Sequence, residues 1–384
     1  QYAGANDYKG VRYCFRAKFV ISVVMFLLSL VVFLQFSNPL ISMYFAEGTS
    51  AAEATTTLTH ASNYLKVMLW GLLPFAISQV FASTLREMGE TRLPMIASVV
   101  AISVNLCFNY LLIFGKFGFP KLSVTGAAIA TVMARYVEML IIVIVTVIRR
   151  KRYVFIQGAF KSLYVPKILC KQILIKGMPL LVNEFLWSAG MAVMLQCYSV
   201  RGLSVVAAMN ICNTVNNLFN VVFLSMGNAV AIIVGQHLGA NQIKEAKDSV
   251  WKLIAFTVAN CFVIGAAMAI SAPFIPHIYN TEPDVRMMAT NFLFVASAFM
   301  PLYAFAHNCY FTIRSGGRTV ITFLFDSAFT WVLAVPFAFI LANYTDLPIL
   351  PLYILVQSLE FIKCAIGFVM IKKGVWVRNL INNG

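Results

Sequence analysis

The chain has 384 residues, 60% hydrophobic and only 11% charged, with a mean hydropathy of +0.82 and a formal net charge of +15. Soluble domains carry about 25% charged residues and roughly half apolar ones, so this composition excludes a disordered chain, a fibrous protein and most soluble enzymes. Eight cysteines are scattered without a C-x-x-C pair or metal-ligand spacing; they read as free thiols in helices, with no metal site expected.

A helix needs about 20 largely apolar residues to cross the hydrocarbon core, and ten such stretches follow in order. The first, near 19–45, comes after the basic residues Lys9, Arg12, Arg16 and Lys18. The second, 64–84, holds Pro74 and leads to Arg86 and Arg92. The third, 93–114, carries Asn105 and Asn109, and the fourth, 123–148, carries Arg135 and Glu138. A basic segment, 149–171, precedes the fifth stretch, 172–198, with Pro179, Asn183, Glu184, Trp187 and Ser188. The sixth, 204–234, carries an asparagine stripe, and the seventh is 250–275. The eighth, 288–312, holds Tyr303 and His307; the ninth, 319–342, holds Asp326; the tenth, 349–371, holds Glu360 and Lys363. No stretch has the shape of a signal peptide, and none shows the alternation of an outer-membrane strand.

With the first loop placed in the cytoplasm, 22 of the 29 Lys and Arg fall on the inner side and 5 on the outer. That split follows the positive-inside rule and predicts a multi-pass cell-membrane protein with both ends of this chain cytoplasmic. The net charge is therefore a topology signal, and no nucleic-acid partner is expected.

The chain also repeats itself. Gln1-Tyr2-Ala3-Gly4-Ala5-Asn6-Asp7 matches Gln236-His237-Leu238-Gly239-Ala240-Asn241-Gln242 at four of seven positions. Leu72-Leu73-Pro74 pairs with Phe299-Met300-Pro301, and Arg86, Gly89 and Thr91 pair with Arg314, Gly317 and Thr319. Tyr136-Val137-Glu138 pairs with Ser358-Leu359-Glu360. Three matches in the same order indicate duplication, and both Gly-Ala-Asn loops lie on one side, so the repeats are parallel. Four spans follow each loop, but two spans precede only the second. The expectation is a 6+6 architecture in full length and 4+6 here, with two helices upstream of Gln1.

These motifs in this order resemble the MATE (multidrug and toxic compound extrusion) transporters: Gln1-x-x-Gly4-Ala5 and Gln236-x-x-Gly239-Ala240, Pro74 with Arg86-x-x-Gly89, Asn105-x-x-x-Asn109-Tyr110, Gly126 through Thr131 with Arg135 and Glu138, and Gly177-x-Pro179 leading to Glu184. The resemblance covers essentially the whole chain. It implies an all-α polytopic membrane protein, with two pseudo-symmetric helix bundles around a central cleft, that exports drugs or toxins against an inward Na⁺ or H⁺ gradient. Residues 1–150 would be the N-lobe, 151–170 a cytoplasmic basic linker and 171–384 the C-lobe. The coupling ion would be the only cofactor, and the working unit a monomer in the bilayer.

Ionisable groups within spans are functional candidates because burying them is costly. Arg135 and Glu138, and Glu360 and Lys363, are each three residues apart on one helix and read as structural ion pairs. Glu184 has no basic residue within a turn on its own helix, which suits either a proton carrier or a cation ligand, or else a protonated acid in an interhelical hydrogen bond. The family places a cation-site glutamate on this helix. Asp326, near Arg318 only, is a second coupling candidate, and a structural role is equally open. Asn210, Asn213, Asn217 and Asn220 share one helical face. That face fits either interhelical hydrogen bonding or the wall of a substrate cavity with Asn183, Trp187 and Ser188. Asn105, Asn109, Tyr303 and His307 complete the cavity candidates. Two departures from the family stand out: Asn109 occupies a place where archaeal members carry an aspartate, and Leu302 a place where one bacterial branch does.

Two other functional classes fit the sequence less well. A flippase for lipid-linked oligosaccharides should carry several intramembrane bases to grip phosphate, whereas only Arg135 and Lys363 lie within spans, each beside a glutamate. A membrane enzyme should gather histidine and carboxylate at one interface, whereas His60, His237, His277 and His307 are dispersed. The expectation is a transporter and not an enzyme.

Overall fold

The computed structural model describes residues 1–42 and 51–381. Ten helices among them are long and apolar enough to cross a membrane. They are α1 (Tyr8–Ser42), α2 (Ala51–Glu87), α3 (Arg92–Phe114), α4 (Ser123–Ile148), α5 (Lys167–Ser199), α6 (Leu203–Gly239), α7 (Ile243–Ser271), α8 (Pro283–Ser315), α9 (Thr319–Tyr344) and α10 (Ile349–Lys372). No strand occurs among the described residues. Lipid offers no hydrogen bonds, so a spanning segment must satisfy its own backbone, which the helix does within one segment. At 1.5 Å per residue even the shortest of these helices, 23 residues, reaches about 35 Å. That exceeds the roughly 30 Å hydrocarbon core.

The chain divides into two compact units, Asp7–Cys170 and Gln1–Asn6 with Lys171–Gly384. In the first unit, Phe15 of α1 packs edge-on against Phe81 of α2 at 5.1 Å between ring centroids and lies 5.2 Å from Phe155. The basic segment after α4 folds back onto the start of α1. The Arg16 guanidinium donates to the carbonyls of Ala159 and Gly158, both at 2.8 Å, and of Tyr164 at 3.1 Å. The segment expected as a cytoplasmic basic linker packs within the first unit, where it supplies carbonyl acceptors to the buried Arg16 guanidinium. Its other end is tied to the α2–α3 turn, where Arg152 pairs with Glu90 at 2.7 Å.

The second unit contains two apolar cores. One is centred on Phe292, Leu293 and Met300 of α8 with Met209 and Cys212 of α6. The other joins Val230 and Val234 of α6, Val250 and Ile254 of α7, Ile313 of α8 and the indole of Trp376 beyond α10. Gly265 on α7 is required there: a Cβ would come within 2.7 Å of the Ser297 carbonyl oxygen on α8.

The duplication is visible in backbone geometry. Asn6 and Asn241, at matching positions, both take positive φ, 55° and 59°. The amides of Ala5 and Ala240 donate to the carbonyls of Gln1 and Gln236, at 3.0 and 2.9 Å. Gly89 and Gly317, the matched glycines after α2 and α8, take φ of 83° and 70°, the left-handed helix-terminating conformation. Within the second unit the two Gly-Ala-Asn turns meet face to face: a Cβ on Gly4 would strike the Gln236 backbone, and one on Gly239 the Gln1 backbone.

Candidate functional site

The polar residues of α5 sort onto two faces. Asn183, Leu186 and Gly190 lie on the face that meets α9. The Trp331 indole donates to the Leu186 carbonyl at 2.9 Å, and a Cβ on Gly190 would sit 3.0 Å from the Thr330 methyl. Glu184, Trp187 and Ser188 lie on faces that stay exposed.

Helix α9 is irregular at this contact. Leu324–Ala328 and Thr330–Ala334 form π turns, whose wider winding breaks the regular i→i−4 ladder. The Ser327 amide instead donates to Asn183 Oδ1 at 3.3 Å. The Ser327 hydroxyl stands 2.7 Å from the same Oδ1 and 2.9 Å from the Asn183 carbonyl oxygen. Asn183 Nδ2 donates to Asp326 Oδ2 at 3.1 Å and to the Tyr310 hydroxyl at 3.3 Å. Asn183, 1% exposed, therefore uses both ends of its amide to lock α5 to α9 and α8.

From this buried knot two carboxylates reach in different directions. Asp326 Oδ1 accepts from Lys363 Nζ of α10 at 2.8 Å. Glu184 Oε1 accepts from the Tyr310 hydroxyl at 3.3 Å and lies 3.9 Å from Arg314 Nη1, with 63% of its side chain exposed. An ion pair that open contributes about 0–1 kcal/mol. The base missing from its own helix thus comes from α8, which a search along one helix does not reveal.

Other expected site residues fall as follows. Arg135 and Glu138 pair at 3.1 Å, and Ser98 donates to the same carboxylate at 2.9 Å. Lys363 differs from expectation: its ion pair is with Asp326 on α9 and not with Glu360 one turn back, because α9 carries its carboxylate directly to the ammonium. Asn105 Nδ2 donates to Thr131 Oγ1 at 3.3 Å, and Asn109 Nδ2 to Asn105 Oδ1 at 2.9 Å, so these amides tie α3 to α4. On α6, Asn210 and Asn217 are exposed while Asn213 and Asn220 are half-buried. None of the four amides hydrogen-bonds Glu184 among the described residues. Helix α6 reaches the knot through His307 of α8, whose ring lies 5.3 Å from Phe223 and 6.0 Å from Tyr310. The His307 Nε2 and the Tyr303 hydroxyl are buried without a hydrogen-bond partner among the described residues. Ser327 and Trp331 were missed from sequence, since π turns leave no periodic signature.

These features define an all-α, multi-pass membrane protein built on a duplicated half, with its polar groups gathered inside apolar helices. The MatE family model matches residues 1–111 and 179–340. The chain belongs to the MatE family, as the sequence resemblance implied. A probable multidrug resistance protein NorM of Bacillus anthracis is 29% identical over 287 residues, 74% of this chain and 63% of that protein. A NorM of Thermotoga maritima is 24% identical over 321 residues, 84% of this chain and 68% of that protein. The chain thus spans about 63% of the length of the Bacillus relative. A MOP superfamily transporter from Pyrococcus furiosus shares the fold with a TM-score of 0.84 at 20% identity, over 97% of this chain and 80% of that one. The Vibrio cholerae MATE transporter VcmN does so with 0.81 at 18%, over 99% and 82%.

Proposed function

We propose that this chain works in a cation-coupled multidrug antiporter, exporting organic cations or amphipathic toxic compounds by alternating access, with Na⁺ or H⁺ as the driving ion. It would act as a monomer in the cell membrane, with both ends of this chain cytoplasmic. The observation that carries the reading is the pair of carboxylates linked through Asn183 and Tyr310: Glu184 open and Asp326 held by Lys363. A carboxylate within a membrane span is costly to leave charged, and Glu184 has only the Tyr310 hydroxyl and a long contact to Arg314 to offset that cost. A driving ion or a cationic drug relieves that cost, and competition between them couples the two fluxes. A ligand shifts a conformational equilibrium only through its differential affinity for the two states, and Glu184 offers such a difference. The names of the NorM relatives, multidrug resistance proteins, agree with this reading. The flippase alternative is disfavoured, because both intramembrane bases, Arg135 and Lys363, are already paired with acids.

The test is efflux of a fluorescent organic cation by the full-length protein in vesicles, with Na⁺ and H⁺ gradients imposed separately. Glu184→Gln should insert normally and export at near-background rates while still binding drug. Asn220→Ala should reduce export only in part. Full gradient-driven export by Glu184→Gln would place the coupling elsewhere.

A further inference from the structure

The polar groups of α10 do not balance. Asp326 and Glu360 are two carboxylates, and Lys363 is the one ammonium beside them. Lys363 is committed to Asp326 at 2.8 Å, and both side chains are largely buried. Glu360 makes no hydrogen bond or ion pair of its own among the described residues. It lies at the midpoint of α10, eleven residues from Ile349 and twelve from Lys372. At 1.5 Å per residue that is about 17 Å from either end, the depth at which an unbalanced charge is most costly. With all three groups ionised, this cluster carries a net charge of −1.

The neighbouring face of α8 is also incomplete. Cys364 Sγ donates to the Leu302 carbonyl at 3.4 Å, and Phe361 packs on Phe299 at 5.8 Å, which fixes α10 against this stretch. Along it, the Tyr303 hydroxyl, His307 Nε2 and Asn308 Oδ1 are all buried with no hydrogen-bond partner among the described residues. Tyr303 lies within electrostatic range of Glu360, and His307 within range of Asp326 and Lys363. Three polar side chains of α8 thus stand at the α8–α10 interface beside a carboxylate that has no ion pair of its own among the described residues.

We propose that Glu360 is a second proton-loading carboxylate of the transport cycle, with Lys363, one turn away and paired to Asp326, as its neighbouring positive charge. The inference rests on the exporter reading above and adds a site to it. In the loading step a Glu360 oxygen takes a proton from hydronium, one O–H bond forms, a water molecule is released, and the cluster passes from −1 to neutral. A proton fits better than a metal cation. Hard cations take a shell of about six oxygens, and the ammonium of Lys363 already fills the Asp326 side. The titratable groups around Glu360 are Lys363 and Cys364 on its own helix, Asp326 on α9 and Tyr303 on α8, with His307 of α8 next to Asp326 and Lys363. Interacting groups titrate as a set, so removing Lys363 must change the proton affinity of the remaining carboxylates.

The experiment is infrared difference spectroscopy of the reconstituted full-length protein, following the protonated-carboxyl band through a pH titration, alongside proton-driven efflux. Glu360→Gln should remove one titrating band that Glu184→Gln retains. It should also lower proton-driven efflux at least tenfold, with equilibrium drug binding within twofold of wild type. Lys363→Met should move the titration upward by about one pH unit or more, since a lost positive neighbour favours the protonated acid; Lys363→Arg should restore it. A band unchanged in Glu360→Gln, or wild-type efflux by that variant, overturns the proposal. So does a band that responds to Na⁺ at constant pH. If Glu360→Gln does not fold, an unshifted titration in Lys363→Met overturns it as well. Absence of gradient-driven efflux in the wild type would refute the exporter reading instead, and the titration would still report whether Glu360 takes up a proton.

Discussion

The mutual contact of the two repeat turns makes a sharp stability prediction. Gly4 and Gly239 occupy matching positions in Gln-x-x-Gly-Ala, and each faces the other copy's glutamine backbone. A Cβ on Gly239 would lie 2.6 Å from the Gln1 carbonyl carbon and nearer still to its oxygen; a Cβ on Gly4 would lie 2.7 Å from the Gln236 carbonyl carbon. Both obstacles are backbone, so no side-chain rotation relieves them, and the carbonyl oxygens require the turns to separate by about 1.5 Å or more to reach ordinary contact at about 3.5–4.0 Å. Inserting a methyl into a packed site costs about 1–3 kcal/mol. At roughly 2–4 °C per kcal/mol for a unit of this size, each single alanine should lower the melting temperature by about 2–12 °C. The decisive measurement is the double variant. Once one methyl has forced the turns apart, the second meets less resistance, so Gly4→Ala with Gly239→Ala should cost about 1 kcal/mol or more below the sum of the singles. Gly89→Ala is the control: it has open space around it and pays only for its φ of 83°. Melting the full-length protein in detergent reads all four. Strictly additive losses, or singles as stable as wild type, would refute the reasoning that the two turns share one contact.

Asn183→Ala should destabilise the protein by about 2 kcal/mol, because it strands the Ser327 amide and removes a donor from Asp326, while the Ser327 hydroxyl keeps the carbonyl of residue 183; denaturation in detergent checks it, and a loss under about 0.5 kcal/mol would mean the knot is not the α5 anchor. Single cysteines replacing Arg86, Arg92, Arg314 or Arg318 should react with a membrane-impermeant maleimide only after cells are opened. Efficient labelling of intact cells would reverse the orientation inferred from the basic residues.

The ten helices were legible because lipid imposes one rule on every spanning residue: apolar side chains outside and the backbone bonded to itself. The duplication was legible for a different reason. Gly89 and Gly317 must sit at positive φ, and Gly4 and Gly239 must admit a backbone, so few other residues fit and both copies keep them. The polar site was half legible. Glu184, Asp326 and Asn183 stood out as polar groups in apolar helices, and Arg135 with Glu138 followed from spacing along one helix. What escaped was partner choice across helices. A spacing of three along α10 offers Lys363 to Glu360, but the ammonium is free to choose any carboxylate within reach, and packing brings Asp326 closer. The same holds for Arg314 and Glu184. The π turns of α9 decide this outcome, since the wider winding exposes the Ser327 amide to Asn183 and sets Asp326 between Asn183 and Lys363. No period of 3.6 residues foretells a wider turn. The misassigned partner is also the informative one, because moving Lys363 to Asp326 leaves Glu360 as an unbalanced carboxylate at the centre of a membrane helix.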